Sequence, residues 1–160
     1  MIILIGHGGS GKTTLGRSLA KKLGYAFLDS DELLTQEYTQ SPAQLIKHLG
    51  LSEFRKLEVT LITQKLNEFG KTPVVFSLGG GALDSSELIA LLTDHTAVYL
   101  KAPLPLLLWR IRGNFRGFTL RDYIKSYYLR KIYFSKYANI VVLNLIPGLT
   151  LRKITKQVHL

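Results

Sequence analysis

The sequence contains no cysteine and has a single tryptophan, a single methionine and five prolines. Without cysteine, the chain can form neither disulfides nor thiolate metal sites, which suits a cytoplasmic protein. No apolar stretch approaches the length of a membrane span, because the longest, 104–109, contains Pro105 and is followed by Arg110 and Arg112. The apolar start at 1–5 is too short for a signal peptide and has no basic flank, so we expect a cytoplasmic protein without a membrane partner.

Acidic residues are scarce, 11 against 21 lysines and arginines, which gives a net charge of +10. This excess favours anionic partners such as nucleotides, phosphorylated metabolites or nucleic acid. The basic residues are spread along the chain and no nucleic-acid motif is visible, so we expect no nucleic-acid partner. The chain has 160 residues, 46% of them hydrophobic, which suffices for one domain with a buried core. We expect this domain to act as a monomer.

Short apolar runs alternate with helical patterns along the chain. The runs predict strands at 1–5, 25–29, 73–78, 96–100 and 139–143. Helices are predicted at 12–23, 41–49, 52–70, 84–92, 104–112 and 120–137, with a weaker one near 150–158. An Asp-Ser-Ser-Glu capping box opens the helix at 84–92. The alternation predicts an α/β fold of three layers, in which a five-stranded parallel sheet is flanked by helices.

A glycine-rich segment follows the first predicted strand. Residues 6–13, GHGGSGKT, match the phosphate-loop pattern G-x-x-x-x-G-K-[ST], and a helix is predicted directly after them. The glycines let backbone N–H groups surround phosphate oxygens, and the helix N-terminus adds partial positive charge. Lys12 would reach the β- and γ-phosphates of a nucleotide, and Thr13 would bind Mg²⁺. The residues that we expect to bind the nucleotide here are Gly8, Gly9, Ser10, Gly11, Lys12, Thr13 and Thr14.

Two aspartates, Asp29 and Asp31, follow the second predicted strand. Residues two apart on an extended chain point to the same side, so both carboxylates would face the phosphate loop. One could hold Mg²⁺ through water while the other orients an attacking hydroxyl. The alternative is that Asp31 or Ser30 caps a helix beginning at Glu32, and the spacing alone does not decide between them.

Arg55 and Glu58 lie three positions apart on the helix predicted for 52–70 and can form an ion pair. If the pair is exposed, it contributes little to stability. Alternatively, Glu58 orients Arg55 toward a substrate carboxylate, a task that suits a planar guanidinium. Another arginine, Arg130, lies in a basic, aromatic-rich stretch that is typical of solvated surface over a core.

Three consecutive glycines, 79–81, follow the third predicted strand. By itself this segment is typical of a turn. Ligands of parallel α/β sheets bind at the carboxyl ends of the strands, where the phosphate loop and Asp31 also lie. Since the segment lacks lysine, we expect it to serve the phosphate acceptor and not the nucleotide.

These motifs together resemble the shikimate kinase family, in order and at similar spacing, over nearly the whole chain. The matching segments are GHGGSGKTTLGRSLAKKLG, FLDSD, EFRKLE, SLGGGA and RKIYFSKYANIVV. The resemblance implies a P-loop kinase fold in which ATP, with Mg²⁺ as cofactor, phosphorylates shikimate on the route to chorismate and the aromatic amino acids. Within a single domain, 1–160, it implies shikimate-binding helices at about 31–60 and a lid at about 112–119.

For the acceptor, the resemblance implies that Asp31 contacts the ring hydroxyls and acts as the base. Arg55 and Arg130 would hold the shikimate carboxylate, and Glu58 would hold Arg55. The backbone of 79–81 would line the ring, so Gly80→Ala should weaken shikimate binding more than ATP binding.

For the nucleotide, the resemblance implies that Asp29 supports Mg²⁺ beside Thr13 and that Arg110 lies on the adenine side. Arg116 would be the lid arginine that reaches the transferring phosphoryl group, and it would join Lys12 and Asp31 as a catalytic residue. Two alternatives stay open. One is a kinase of another polyol acid such as gluconate, and the other is a nucleotide-binding protein with an inactive lid.

Overall fold

The computed structural model describes residues 1–70, 72–113, 115 and 118–158, with Leu91 described by its backbone alone. Five parallel strands form one sheet in the order β2-β3-β1-β4-β5. Their bounds are Ile2–Ile5 (β1), Ala26–Asp29 (β2), Val74–Ser77 (β3), Thr96–Lys101 (β4) and Ile140–Leu143 (β5). The predicted parallel α/β fold is therefore confirmed, and each predicted strand lies within a residue or so of its observed position.

Helices connect the strands. Their bounds are Lys12–Leu23 (α1), Ser30–Tyr38 (α2), Pro42–Leu49 (α3), Leu51–Phe69 (α4), Ser86–Leu92 (α5), Leu104–Ile111 (α6), Leu120–Tyr137 (α7) and Pro147–Val158 (α8). Within the described ranges, none of them combines the length and the apolar character needed to cross a membrane.

Helices cover both faces of the sheet, which gives the predicted three layers. One cluster of buried side chains joins the sheet to α4, α5 and α7, and the other joins it to α1 and α8. The first cluster includes Ile3, Phe76, Tyr99, Ile62, Leu88 and Phe134. The second includes Leu4, Val98, Leu100, Leu15, Leu19 and Ile154. Burial of such side chains, at about 1.5–3 kcal/mol each, holds the strand ends in fixed positions.

Helices α2, α3 and α4 form a smaller packing unit beside the sheet. Its buried members are Leu34, Leu45, Phe54 and Leu61. The predicted capping box of α3 is present, since Ser41 and Gln44 exchange backbone and side-chain hydrogen bonds. These helices thus have a core of their own, which presents Phe54 and Arg55 to the end of the sheet.

Two predicted helix starts differ from the structure by two residues or more. The helix expected to open at Asp84 begins at Ser86, and Ser85 caps it by accepting a hydrogen bond from the Leu88 N–H at 3.4 Å. Asp84 ends a short 3-10 helix and makes tertiary contacts instead. Helix α8 begins at Pro147, earlier than expected, because a proline is well suited to the first turn of a helix.

Candidate active site

Two adjoining cavities lie at the carboxyl ends of β1, β2 and β3. The larger has a volume of about 560 Å³ and the smaller about 350 Å³. Gly8, Gly9, Asp31 and Arg110 line both cavities, so these residues mark the place where the two meet. The predicted convergence of motifs on one sheet edge is therefore present in the structure.

The phosphate loop joins β1 to α1 and forms a wall of the smaller cavity. The Lys12 Nζ donates to the carbonyl oxygens of Gly6 at 2.8 Å and His7 at 3.0 Å, so the loop curls around this ammonium group. Gly11 occupies the N-cap of α1 with φ +90° and offers no side-chain cap. The first N–H groups of α1 are therefore not capped by a side chain, and anions bind readily at such a terminus.

Three side chains from distant parts of the chain hold the phosphate loop. The Tyr123 hydroxyl donates to the Gly8 carbonyl oxygen at 2.7 Å. The Asn144 Nδ2 donates to the Ser10 carbonyl oxygen at 2.7 Å. Arg110, the predicted adenine-side arginine, reaches the Gly9 and Asn144 carbonyl oxygens at 3.4 and 3.3 Å.

The contributions of Tyr123 and Asn144 are not predicted by the sequence motifs. Tyr123 lies on the helix predicted at 120–137, and the sequence carries no motif that assigns it a role. Asn144 directly follows β5, and its position at a strand end is a signal that could have identified it.

The two aspartates after β2 have different environments. Asp29 is buried, accepts a hydrogen bond from the Thr13 hydroxyl at 2.7 Å, and caps α2 by accepting one from the Asp31 N–H at 3.0 Å. Both aspartates line the smaller cavity beside the phosphate loop, as predicted, although the chain is not extended through Asp31. The alternative of a helix cap at Ser30 or Asp31 is wrong in its residue, because Asp29 is the cap. The strand ends at Asp29 and the helix begins at Ser30, so Asp31 already has helical geometry.

Thr13 and Asp29 nevertheless form the oxygen-rich pair expected for a magnesium site. A hydroxyl and a carboxylate at hydrogen-bond distance suit Mg²⁺, which binds through few protein oxygens and keeps water and phosphate ligands. Over the described part of the chain, no three histidine, aspartate or glutamate side chains come together as a closed metal site. The donor set therefore fits a metal that arrives with a nucleotide.

A chain of ion pairs borders the larger cavity. The Arg55 Nη1 donates to the buried Glu58 carboxylate at 2.5 Å, and the Arg55 Nη2 donates to Asp84 at 3.4 Å. Arg130 binds Asp84 through two parallel hydrogen bonds, from Nε at 3.0 Å and from Nη2 at 2.5 Å. The Arg55–Glu58 pair is thus part of the cavity wall and not an isolated surface pair.

Burial controls the electrostatics of Glu58. Burial raises the pKa of Glu58 above its usual value, and the negative charges of Asp31 and Asp84 act in the same direction. The Arg55 guanidinium opposes this rise in pKa. Because the Glu58 side chain is 1% exposed, it fixes Arg55 from a position that water hardly reaches.

Each of the three glycines lies against a different group of protein atoms. A Cβ at Gly79 would lie 2.8 Å from the Glu58 Oε1 and 3.1 Å from the Asp31 Oδ1. A Cβ at Gly80 would lie 3.1 Å from the Gly8 backbone nitrogen, and one at Gly81 would overlap the Arg55 guanidinium. The glycines therefore let the carboxylates, the phosphate loop and the arginines approach one another.

The side chain of His7, a member of the phosphate loop, is buried and lines neither cavity. Its ring packs between Tyr127 and Phe134, with ring centroids 4.8 and 4.9 Å away. Its Nε2 has no hydrogen-bond partner among the described residues. Burial, reinforced by the positive charges of Lys12 and Arg130, lowers the pKa of His7 from 6.5 to about 3.

His7 is expected to make folding stability depend on pH. Because its pKa is depressed in the folded state, its contribution is complete above pH 6.5 and is lost as the pH falls from 6.5 toward 3. The slope from one proton is at most about 1.4 kcal/mol per pH unit. We expect His7→Phe, which fits the aromatic site, to flatten the pH dependence of the unfolding free energy in denaturant titrations.

The matched control for His7 is the exposed His48, whose replacement by glutamine should leave the slope unchanged. Equal slopes for the wild type and His7→Phe between pH 6.5 and 4 would show that His7 does not carry this dependence.

Most of the predicted site residues lie around the two cavities. The predicted lid arginine, Arg116, falls outside the described residues. Within the phosphate loop Ser10 is buried, whereas Thr14 is exposed and lines the smaller cavity. Asp84 is an additional member that the sequence analysis missed, since it was interpreted as a helix cap. Its position shortly after β3 and the three glycines, at the carboxyl end of a strand, is the signal that could have identified it.

The parallel sheet order and the phosphate loop after β1 define a P-loop protein of the small-kinase fold. The shikimate kinase family model matches residues 8–145. The chain belongs to the shikimate kinase family.

Among curated relatives, a shikimate kinase from Mycobacterium avium is 42% identical over 99 residues, which are 62% of this chain and 54% of that protein. The matched region thus spans about half the length of such relatives.

Two solved structures agree with this membership. The shikimate kinase from Acinetobacter baumannii in complex with shikimate is 26% identical, with a TM-score of 0.85 over 99% of this chain and 92% of that chain. The shikimate kinase from Aquifex aeolicus is 27% identical, with a TM-score of 0.85 over 99% and 95% of the two chains.

Proposed function

We propose that the protein transfers the γ-phosphoryl group of ATP to the 3-hydroxyl of shikimate, giving shikimate 3-phosphate and ADP. The observation that carries this proposal is the larger cavity, which joins Asp31, Arg55 and Arg130 to the phosphate loop. A polyol acid needs a carboxylate clamp at one end and a base at the other. Family membership supports the same reaction.

The smaller cavity would hold the nucleotide phosphates. Lys12 would exchange the Gly6 and His7 carbonyl oxygens for phosphate oxygens, because ionised acceptors form stronger hydrogen bonds. Thr13 and Asp29 would hold Mg²⁺, which neutralises charge on the β- and γ-phosphates when it is bound. Arg110 would lie beside the adenine, and Arg116 as the lid arginine stays a prediction.

The larger cavity would hold shikimate beside helices α2, α3 and α4. Arg55 and Arg130 would bind its carboxylate, while Pro42, Ile46 and Phe54 supply apolar wall against the ring. Such positioning accounts for much of the catalysis in phosphoryl transfer.

Asp31 would act at the junction of the two cavities. The shikimate oxygen forms the new bond to the γ-phosphorus as the bond to the bridging oxygen of ADP breaks. The hydroxyl proton passes to the Asp31 carboxylate. That the protein works as a cytoplasmic monomer, without a nucleic-acid or membrane partner, stays a prediction.

Product analysis tests the proposal. The purified protein is incubated with Mg-ATP and equal amounts of shikimate and gluconate, and the products are identified by mass spectrometry and phosphorus NMR. We expect phosphorylation at the shikimate 3-hydroxyl. Phosphogluconate as the main product would identify the alternative kinase. Nucleotide binding with no phosphorylated product would identify a binding protein.

The glycines provide a sharper test of the site. The family resemblance predicts that Gly80→Ala weakens shikimate binding more than ATP binding. In the structure, however, the added Cβ would lie 3.1 Å from the Gly8 backbone nitrogen of the phosphate loop. We now expect Gly80→Ala to raise the KM values for both substrates. Gly81→Ala should raise the shikimate KM alone, because its Cβ displaces Arg55. Steady-state kinetics check this, and an equal response of both KM values in Gly81→Ala would contradict it.

A further inference from the structure

Asp84 binds the two arginines that face the larger cavity. It lies on the 3-10 helix, Ala82–Asp84, directly after the three glycines. Both of its carboxylate oxygens accept hydrogen bonds from Arg130, at 3.0 and 2.5 Å. One of these oxygens also accepts a hydrogen bond from the Arg55 Nη2 at 3.4 Å. An internal carboxylate therefore already bridges the two guanidinium groups.

These hydrogen bonds use donors that an incoming carboxylate would also need. The Nε and Nη2 edge of Arg130 forms the planar fork that suits two parallel hydrogen bonds to a carboxylate, and Asp84 occupies it. On Arg55, Nη1 is bound to Glu58 and Nη2 to Asp84. A substrate carboxylate can thus use the same edges only if Asp84 releases them.

The charges of the cluster lead to the same conclusion. Two arginines face two carboxylates, Glu58 and Asp84, so the positive charge of the pair is compensated before any ligand binds. The two carboxylates differ in exposure, since the Glu58 side chain is 1% exposed and that of Asp84 is 39% exposed. Water can solvate Asp84 when it is displaced, whereas moving Glu58 would strand a buried charge. Asp84 is therefore the replaceable partner.

We propose that Asp84 is a built-in competitor for the arginine pair, which the carboxylate of the acceptor must displace. It sets the affinity for the acceptor and selects against neutral polyols, which cannot replace it. This inference rests on the proposed function, because it concerns the same acceptor cavity. Asp84 acts through Arg55 and Arg130 and not on the reacting atoms, so it should affect acceptor binding and not the chemical step.

Asp84→Asn tests the proposal. The amide keeps the shape of the side chain but removes the negative charge and one of the acceptors. We expect the KM for shikimate to fall roughly tenfold, as close charge pairs at binding sites are strongly coupled. The values of kcat and of the ATP KM should stay unchanged. Asp94→Asn removes the same charge from the turn after α5 and should leave all three constants unchanged.

A shikimate KM that rises or stays unchanged in Asp84→Asn would contradict the proposal. If Asp84 merely holds the arginines in place, Asp84→Asn will raise the shikimate KM, and an unchanged KM would show that the charge has no influence. Either outcome overturns the proposal about Asp84. The proposed function is tested separately, by whether the wild type phosphorylates shikimate.

A binding measurement separates failure of the inference from failure of the function. Cyclohexanecarboxylate, which carries the carboxylate and no reactive hydroxyl, is titrated into wild type and Asp84→Asn by calorimetry, with cyclohexanemethanol as the neutral probe. We expect the carboxylate alone to bind more tightly to the variant. If neither protein phosphorylates shikimate, the proposed function fails. The titration still shows whether Asp84 competes with a carboxylate ligand for Arg55 and Arg130. Equal or weaker carboxylate binding to the variant would overturn the inference.

Discussion

Replacing Asp31 with asparagine is expected to lower kcat for shikimate phosphorylation by about 10² to 10⁴, the usual contribution of a general base. Asp31 lines both cavities, and its N–H is fixed by the Asp29 carboxylate at 3.0 Å. Asparagine has nearly the same shape but cannot accept the hydroxyl proton. The loss should therefore fall on kcat, while the binding of ATP stays close to that of the wild type.

The control for Asp31→Asn is Glu32→Gln, the next residue along α2. Glu32 forms an exposed salt bridge with Arg17, so its replacement should leave turnover unchanged. Steady-state kinetics give kcat, and titration with a non-hydrolysable ATP analogue gives nucleotide affinity. Near-normal turnover by Asp31→Asn would show that another group, or the substrate phosphate itself, takes the proton.

Lys12→Met is expected to have the second-largest effect, a fall in kcat of about 10² to 10³ together with weaker ATP binding. Lys12 is 9% exposed and stands within the phosphate loop, where methionine would fill the space without the charge. The charge that develops on the transferring phosphoryl group would then lose a positioned cation. Shikimate binding should change little, since Lys12 lines the smaller cavity.

Lys21→Met is the matched control for Lys12→Met, because Lys21 lies on the same helix and is exposed. Thermal denaturation should be measured for both variants, since Lys12 also donates to two loop carbonyls. If Lys12→Met turned over ATP and shikimate as fast as the Lys21→Met control, the nucleotide site would have to lie elsewhere.

Much of the fold could be predicted because its signals are local. The strands at 1–5 and 96–100 are short apolar runs, and Gly24 and Gly50 end helices at the predicted places. The phosphate loop has a fixed spacing between a strand and a helix, and Ser41 with Gln44 forms a capping box by contacts within one turn. Such features depend on neighbouring residues, so the sequence displays them directly.

The contacts that complete the site were harder to predict because they join distant positions. Asp84 and Arg130 are 46 residues apart, Gly8 and Tyr123 are 115 apart, and Ser10 and Asn144 are 134 apart. Local chemistry favoured Asp84 as a helix cap, although Ser85 could perform that role equally well. Tertiary packing decided which of the two neighbours became the cap and which bound the arginines.

The burial of His7 is a second feature that local sequence did not reveal. The residue stands at a variable position of the phosphate-loop pattern, where a solvent-facing side chain is equally compatible with the motif. In the structure, Tyr127 and Phe134 of α7 cover the ring. Its environment therefore depends on how α7 crosses the loop, which the motif does not specify.

The most direct test of the proposed kinase activity is the rate of ADP release by the purified protein in Mg-ATP, measured with and without shikimate. The proposed function predicts that this rate rises and saturates with increasing shikimate concentration. In Asp31→Asn, the shikimate-dependent increase should be lost. ADP release that is the same with and without shikimate, in protein that binds ATP, would contradict the assignment of the larger cavity to this acceptor.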